Sequence, residues 1–295
     1  MSNSNSIALA SKYIPILDEV YKNASLTAIL DGNPELVRAG ANANELIIPK
    51  MSMQGLADYS RNGGYVGGDV TIINETVSCN FDRGRMFNID TMDNLETAGV
   101  AFSRLAGEFI RTKVVPELDA FRFACYAGTT GISKVASGAT LSAGADVIAA
   151  LRAGTNEMDE DEVPYEDRYL FITPTLKGLT EDLDTTKSRE VYGRFSKVIL
   201  VPQTRFYTAI DQYDGTTQGE TAGGFVKDSS DGKDINFMII QKSALIQFSK
   251  HVSPKIITPE QNQDADGYKF GYRHVAIADV YENKVSGIYL HHKAS

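Results

Sequence analysis

The sequence predicts an α+β fold in which a projecting β-hairpin and one very long helix precede a mixed α/β domain. Residues 70–89 alternate apolar and polar side chains, which indicates a strand with one apolar face. Residues 90–128 repeat apolar side chains at three- and four-residue spacing, over a length that spans roughly 50 Å as a helix. From about residue 137, helical patterns alternate with short apolar runs that are typical of buried strands.

Composition narrows the class of protein. The 295 residues carry a formal net charge of −9, which argues against a nucleic-acid-binding surface but not against a protein that encloses nucleic acid. The two cysteines, Cys79 and Cys125, lie far apart without metal-ligand spacing, so we expect a reducing compartment and no disulfide. The sequence shows no signal peptide and no long apolar run, so we expect synthesis in the cytoplasm and no membrane partner.

The stretch 58–70, DYSRNGGYVGGDV, places four glycines within residues 63–68. The spacing from Gly63 to Gly68 fits a phosphate loop, but Asp69 stands where such a loop needs lysine. A phosphate loop also leads into a helix, whereas this stretch leads into a strand. The glycines therefore favour a flexible tip between a short strand around Leu46–Met53 and the long strand that follows.

The hairpin is expected to contact another protein molecule. An isolated two-stranded hairpin is marginally stable in water, and a single domain offers little surface to cover its apolar face. Exposed methionines at the end of such an arm favour a protein partner, with folding back onto the chain's own domain as the alternative. The predicted contact residues at the tip are Met51, Met53, Leu56, Tyr59, Arg61 and Tyr65. A predicted N-terminal amphipathic helix over 7–22, interrupted by Pro15, has the same lack of a local core.

The long helix is predicted to begin at an N-cap formed by Asp90 or Thr91 and to end at Gly128. Pro116 is expected to kink or divide it. One apolar stripe comprises Leu95, Ala98, Phe102, Leu105 and Phe109, and a second, offset stripe comprises Ile110, Val114, Leu118 and Phe121. The four large side chains of the first stripe, Leu95, Phe102, Leu105 and Phe109, are the predicted helix core.

The α/β part is predicted to contain helices over 142–158 and 174–183 and buried strands over 168–173, 196–202 and 235–241. Thr173 precedes Pro174, the order typical of a helix start. The last segment is predicted to form strands joined by a tight turn near residues 282–284.

Two clusters of polar residues are candidate cation or metal sites. The acidic run 157–167 lacks the alternation and central glycine of a calcium loop, so a solvated surface loop is favoured over a cation site. His291 and His292 would point to opposite faces of a strand, which favours a structural interpretation over a shared metal. No catalytic triad, nucleophile elbow or zinc motif is present, so no catalytic, cofactor-binding or metal residue is assigned.

Two segments carry a resemblance to a known family: RMFNIDTMDNLETAGVAFSRLAGEFIRTKVVPELDAFRFACYAG and, near the end, VAIADVYENKVSGIYLHHK. Together with the order of elements, they resemble the major capsid proteins of tailed bacteriophages, the Hong Kong 97-type fold. The resemblance implies an extended hairpin (the E-loop), a spine helix in a peripheral domain, and an α/β axial domain. The implied divisions are an N-terminal arm 1–43, the E-loop 44–89, a peripheral domain 90–136, an axial domain 137–247, a return to the peripheral domain 248–283, and a C-terminal strand 284–295.

The resemblance implies a structural protein rather than an enzyme. Copies would form the pentamers and hexamers of an icosahedral virion shell around double-stranded DNA, which is held without sequence-specific binding. The short N-terminal arm leads us to expect a separate scaffold protein, and a portal is a further expected partner. The sequence departs from the phage that names the fold, which crosslinks an E-loop lysine, because it has no lysine between Lys50 and Lys113.

Three other classes of protein remain open at this point. An encapsulin-like cellular compartment would share the fold and enclose a cargo enzyme. A phage adhesin or tail protein would favour a repetitive, β-rich chain. A soluble α/β enzyme is the third.

Overall fold

A computed structural model describes residues 24–32, 38–39, 45–92, 100–135, 137–183 and 186–294. The predicted N-terminal helix over 7–22 lies outside this set. Within it, no helix combines the length and the apolar character needed to cross a membrane.

The first part of the fold is an antiparallel sheet of three strands, β1 (Arg38–Ala39), β2 (Glu45–Met53) and β3 (Val70–Ser78), in the order β1-β2-β3. We call β2, β3 and the tip loop of residues 54–69 between them the projecting hairpin. The strand predicted around Leu46–Met53 and the glycine-rich connection to a second strand are thus confirmed.

The prediction of one continuous strand over 70–89 is wrong. The strand β3 ends at Ser78, and β4 (Phe81–Asp90) pairs in a different sheet. The side chain of Asn80 accounts for the break: its Nδ2 donates to the carbonyl of Ala278 at 2.7 Å, and its Oδ1 accepts from the amide of Ala278 at 3.1 Å. A side chain therefore occupies the position of a backbone ladder pair.

The long helix is described from Val100 onward. It consists of α1 (Val100–Phe109), a π-helical turn (Ile110–Val114) and α2 (Val115–Gly128). The helix is not divided at Pro116, because the backbone stays helical through Val114 and Val115. Instead, the hydrogen bonding changes to a π-helical turn just before the turn that contains the proline. The helix ends at Gly128, as predicted.

A five-stranded sheet forms the centre of the α/β part. Its strands lie in the order β5 (Ser133–Lys134), β13 (Ile288–His292), β10 (Ile235–Gln241), β6 (Arg168–Ile172) and β7 (Lys197–Leu200). Three helices cover one of its faces, and α2 with residues 26–30 covers the other. The predicted helices and strands of this part are confirmed, but the strand at Lys197–Leu200 lies at the edge of the sheet with only Ile199 buried, so its prediction as a buried strand is wrong. The three helices are α3 (Gly144–Glu160), α4 (Pro174–Glu181) and α5 (Thr186–Tyr192).

A second three-stranded sheet, with order β11-β12-β4, is made of long strands: β11 (Leu245–Ile257), β12 (Gly267–Val280) and β4. The face of this long-stranded sheet that bears Phe270 and Tyr272 packs against the helix at Ile110 and Leu118. A 3-10 turn over Glu282–Gly287 follows β12 and leads into β13 of the five-stranded sheet. The predicted turn near 282–284 is therefore a crossover between sheets.

A small hairpin of β8 (Ile210–Gln212) and β9 (Phe225–Lys227) lies between β7 and β10 in the chain. Its loop approaches β4, which brings the α/β part into contact with the strand that follows the projecting hairpin.

The prediction that the whole acidic run 157–167 is a solvated loop is wrong. Residues 157–160 form the last turn of α3, and Met158 is fully buried. The Oδ1 of Asp159 accepts a 2.6 Å hydrogen bond from Nη1 of Arg168, a wholly buried guanidinium at the start of β6. Helical spacing from Leu151 turns Met158 inward, and a buried cation requires the carboxylate beside it.

Candidate assembly surface

Four apolar side chains share one face of the projecting hairpin close to its tip. Met51 lies opposite Ile72, and Met53 lies opposite Val70. Residues directly opposite in an antiparallel pair project from the same face. The exposed fractions are 56% for Met51, 66% for Met53, 63% for Val70 and 62% for Ile72. We call these four residues the tip patch.

The tip loop is closed by a local turn. The amide of Gly64 donates to the carbonyl of Ser60 at 2.8 Å, and the amide of Ser60 donates back to Gly64 at 3.2 Å. Gly64 has φ +74°, a left-handed conformation that glycine adopts without steric cost. The rings of Tyr59 and Tyr65 lie 4.9 Å apart and both remain exposed. The glycines therefore shape a turn, and the loop presents its side chains to solvent.

The six predicted tip residues fall in two places. Met51 and Met53 belong to the tip patch, whereas Leu56, Tyr59, Arg61 and Tyr65 lie in the tip loop, and all six are exposed. Sequence reasoning missed Val70 and Ile72. Both lie on the face of β3 that the alternation pattern predicted to be polar. The strand register, which places them opposite the two methionines, identifies them.

The base of the hairpin, unlike its tip, is packed. Val77 and Cys79 contact Ile246 and Ile277 of the long-stranded sheet. The projecting hairpin is thus anchored at one end, and its exposed apolar side chains are concentrated at the other.

Residues 24–32 are held to α2 by a buried polar network. The carboxylate of Asp119 accepts hydrogen bonds from the amides of Leu26 and Thr27, the hydroxyls of Ser25 and Thr27, and Nη1 of Arg205. Arg122, also on α2, donates to the Thr27 hydroxyl at 2.8 Å.

The same network reaches β11. Nε2 of Gln247 donates to the carbonyl of Thr27 at 2.8 Å and to Asp31 at 2.7 Å, and the Tyr126 hydroxyl donates to Gln247 at 2.6 Å. The segment that follows the N-terminal residues is therefore fixed to both the helix and the long-stranded sheet.

The four predicted helix-core residues differ in position. Leu105 and Phe109 are half-buried, and the Phe109 ring lies 4.8 Å from Phe87 of β4 in an edge-to-face arrangement. The backbone of Phe102 lies in α1, but the structure does not describe its side chain. Leu95 lies outside the described residues. The second stripe is the more deeply buried one, since Ile110 and Leu118 are fully enclosed.

Burial shifts the pKa values of one cysteine and two histidines away from their ordinary values. Burial raises the pKa of the Cys125 thiol to about 12, which keeps it protonated and unreactive. Burial lowers the pKa of His274 to about 3 and of His291 to about 4, so both imidazoles are neutral at pH 7. In the part of the chain that the structure describes, no group of three or more His, Cys, Asp or Glu side chains is placed to hold a metal ion.

Comparisons with known proteins found similar folds among solved structures but no match in sequence. No protein-family model and no curated protein matches the sequence. The solved structures that match include one from Gordonia phage Cozz, with TM-score 0.59 and 12% identity over 92% of this chain and 87% of that chain.

Two further matches are the capsid structure of cyanophage P-SCSP1u and the virus-like particle from Pyrococcus furiosus. The first has TM-score 0.56 and 12% identity over 88% of this chain and 86% of that chain. The second has TM-score 0.54 and 10% identity over 95% of this chain and 99% of that chain. This chain therefore shares its fold with structures of viral capsids and a virus-like particle.

Proposed function

We propose that this chain is a major capsid protein of a tailed bacteriophage, with a Hong Kong 97-type fold. Copies would assemble into pentamers and hexamers that close into an icosahedral head around double-stranded DNA. The tip patch carries the proposal: four exposed apolar side chains lie at the end of an arm that, among the described residues, is packed at its base. The fold that this chain shares with the capsid structure of cyanophage P-SCSP1u supports the same proposal.

The proposal gives each part of the fold a role. The projecting hairpin would be the E-loop, ending at Ser78, because β4 pairs with β12 rather than with the hairpin. The long-stranded sheet with α1 and α2 would form the peripheral domain. The five-stranded sheet would form the axial domain and include β13, so the C-terminal strand belongs there.

The proposed role is structural rather than enzymatic. The acidic net charge of −9 suits a shell that confines DNA by its mechanical strength rather than by tight binding. A scaffold protein and a portal are proposed partners. The protein would be made in the host bacterial cytoplasm and end in the virion.

Contacts between copies would bury the tip patch. Complete burial of a methionine or isoleucine side chain contributes about 1.5–3 kcal/mol relative to exposure. Because every subunit in a shell repeats the contact, a modest change in each one has a large effect on closure of the shell.

The experiment compares two double variants by negative-stain microscopy and sedimentation velocity. Met51→Gln/Ile72→Thr makes one opposed pair of the tip patch polar and keeps residues that tolerate a strand. The control, Ser52→Ala/Thr71→Ala, changes the adjacent opposed pair, which projects from the other face. We expect the control to assemble like the original protein and the patch variant to remain as folded small species. Normal shells from the patch variant would contradict the proposal.

An encapsulin-like compartment is the second candidate. The observation that favours it is the match to the Pyrococcus furiosus particle, which covers 99% of that chain. The two candidates differ in what the shell encloses. Assembly in a phage-infected host would protect double-stranded DNA from added nuclease, whereas a compartment would instead co-purify a protein cargo at fixed stoichiometry.

A further inference from the structure

The loop between β8 and β9 is held in place without an apolar core of its own. We call residues 213–224 the clasped loop. From residue 207 to residue 234 no side chain is fully buried. Segments with few buried apolar contacts and exposed backbone open easily, so the position of this loop depends on its polar contacts.

Two arginines of β4 supply those contacts. Nη2 of Arg83 donates to the carbonyl of Tyr213 at 2.7 Å and to that of Gly224 at 3.3 Å. Arg85 donates from Nη1 to the carbonyl of Ala222 at 3.3 Å and from Nη2 to that of Thr221 at 3.1 Å. Because residues two apart on a strand project from one face, the guanidinium groups together reach both limbs of the loop.

Glu117 of α2 fixes the first arginine. Its Oε1 accepts a 2.7 Å hydrogen bond from Nε of Arg83 and one of 3.4 Å from Nε2 of Gln212 on β8. Both charged side chains are largely shielded, with 27% of Arg83 and 13% of Glu117 exposed. A shielded, charge-assisted pair of this kind is strong and directional. Three elements, β4, α2 and β8, therefore meet at one carboxylate.

The backbone of the loop is shaped to the second arginine. Gly215 and Gly223 have φ +79° and +66°, a left-handed conformation that other residues rarely adopt. A Cβ atom would lie 3.3 Å from Nη1 of Arg85 at Gly215 and 2.8 Å from it at Gly223. Glycine at these two positions lets the chain close around the guanidinium.

We infer that the side chains of Arg83 and Arg85 together form a clasp. This clasp holds the clasped loop against β4. The clasped loop forms one wall of a cavity of about 750 Å³, whose other walls are β4, the helix from Leu105 to Glu117, and Tyr272 and His274 of β12. Release of the two guanidinium groups frees the loop and opens this cavity. In the proposed shell subunit, the clasp would also fix the base of the projecting hairpin relative to the α/β part. That consequence rests on the proposed function, whereas the clasp itself does not.

Hydrogen exchange on the full chain in its unassembled form tests the clasp. The reporters are the amide of Tyr213, which donates to Gly224 at 2.9 Å, and the amide of Gly223, which donates to Glu220 at 2.8 Å. In Arg83→Ala and Arg85→Ala we expect these amides to exchange about tenfold faster or more, the effect of losing hydrogen bonds to a charged group. The amides of β10 should be unchanged, which shows that the fold is intact.

Matched variants separate the clasp from general effects. Arg111→Ala removes an exposed arginine that pairs with Glu108 on the helix surface, and it should leave the loop amides unchanged. Gly223→Ala should speed their exchange more than Gly219→Ala, since Gly219 has φ +93° but no atom within 4 Å of its Cβ position. Arg85→Lys keeps the charge but loses the planar fork, so it should behave like Arg85→Ala.

Equal loop exchange in the original protein and in both arginine-to-alanine variants would overturn the clasp. Failure of the chain to assemble would instead count against the proposed function and would leave this measurement unaffected.

Discussion

The buried carboxylate of Asp119 accepts hydrogen bonds of 2.7 Å from the hydroxyl of Thr27 and 3.2 Å from its amide. This contact joins residues 92 positions apart in the chain and fixes the segment 24–32 to the centre of α2.

Asp119→Ala should destabilise the subunit by about 3–5 kcal/mol, because it leaves buried donors and the Arg205 guanidinium without their acceptor. Denaturant unfolding of the unassembled subunit measures this. Glu108→Ala, on the exposed helix surface, is the control and should change stability by less than about 0.5 kcal/mol. Equal effects of the two substitutions would show that the network does not anchor the segment.

The acidic run gives a second matched pair. Asp159→Ala removes the partner of the buried Arg168 guanidinium and should cost about 3 kcal/mol or more, whereas Glu157→Ala, on the exposed face, should cost less than about 0.5 kcal/mol. Thermal and denaturant melts of both variants decide it. A neutral Asp159→Ala would contradict the assigned role of this carboxylate as the partner of the buried Arg168.

The sequence predicted most elements of the α/β part because each carries its own local signal, such as the apolar run of β10. It did not predict the partners of Asp119 or the end of β3 at Ser78, since both depend on contacts with distant residues. Asn80 binds the backbone of Ala278, 198 positions away. Val70 and Ile72 were missed for a related reason. Alternation along one strand predicts which residues of that strand share a face, but the residues that lie opposite them on the neighbouring strand depend on the register.

The two buried histidines should make stability depend on pH. Burial depresses the pKa of His274 to about 3 and of His291 to about 4, below the ordinary value of 6.5. The unfolded chain therefore binds more protons below pH 6.5, so this contribution to stability is complete above that value and is lost as the pH falls. Arg122 and His251 add to the effect at His274.

Between pH 6.5 and pH 4.5, we expect the free energy of unfolding to fall with a slope that approaches about 1.4 kcal/mol per pH unit for each of these histidines. Urea melts across this range should show a shallower slope in His274→Gln and in His291→Gln. Arg111→Ala, on the exposed helix surface, removes no group that titrates in this range and is the control. An unchanged slope in both buried-site variants would contradict the assigned environments.

Deletion of residues 54–68 should leave a folded subunit that does not build closed shells. The loop is exposed apart from the half-buried Gly64, and the packing of the hairpin base at Val77 lies at the other end of the strand, so the deletion leaves the described core intact. Circular dichroism and size-exclusion chromatography check the fold and the assembly separately. Closed shells from the deleted chain would show that the tip loop is dispensable.

Light scattering of the purified full chain across protein concentration and salt shows whether copies of this chain build shells. We expect large closed particles or capsomer rings at micromolar concentration, because contact with another copy would bury the tip patch. A single species near the subunit mass of 32.2 kDa under every condition would contradict this expectation.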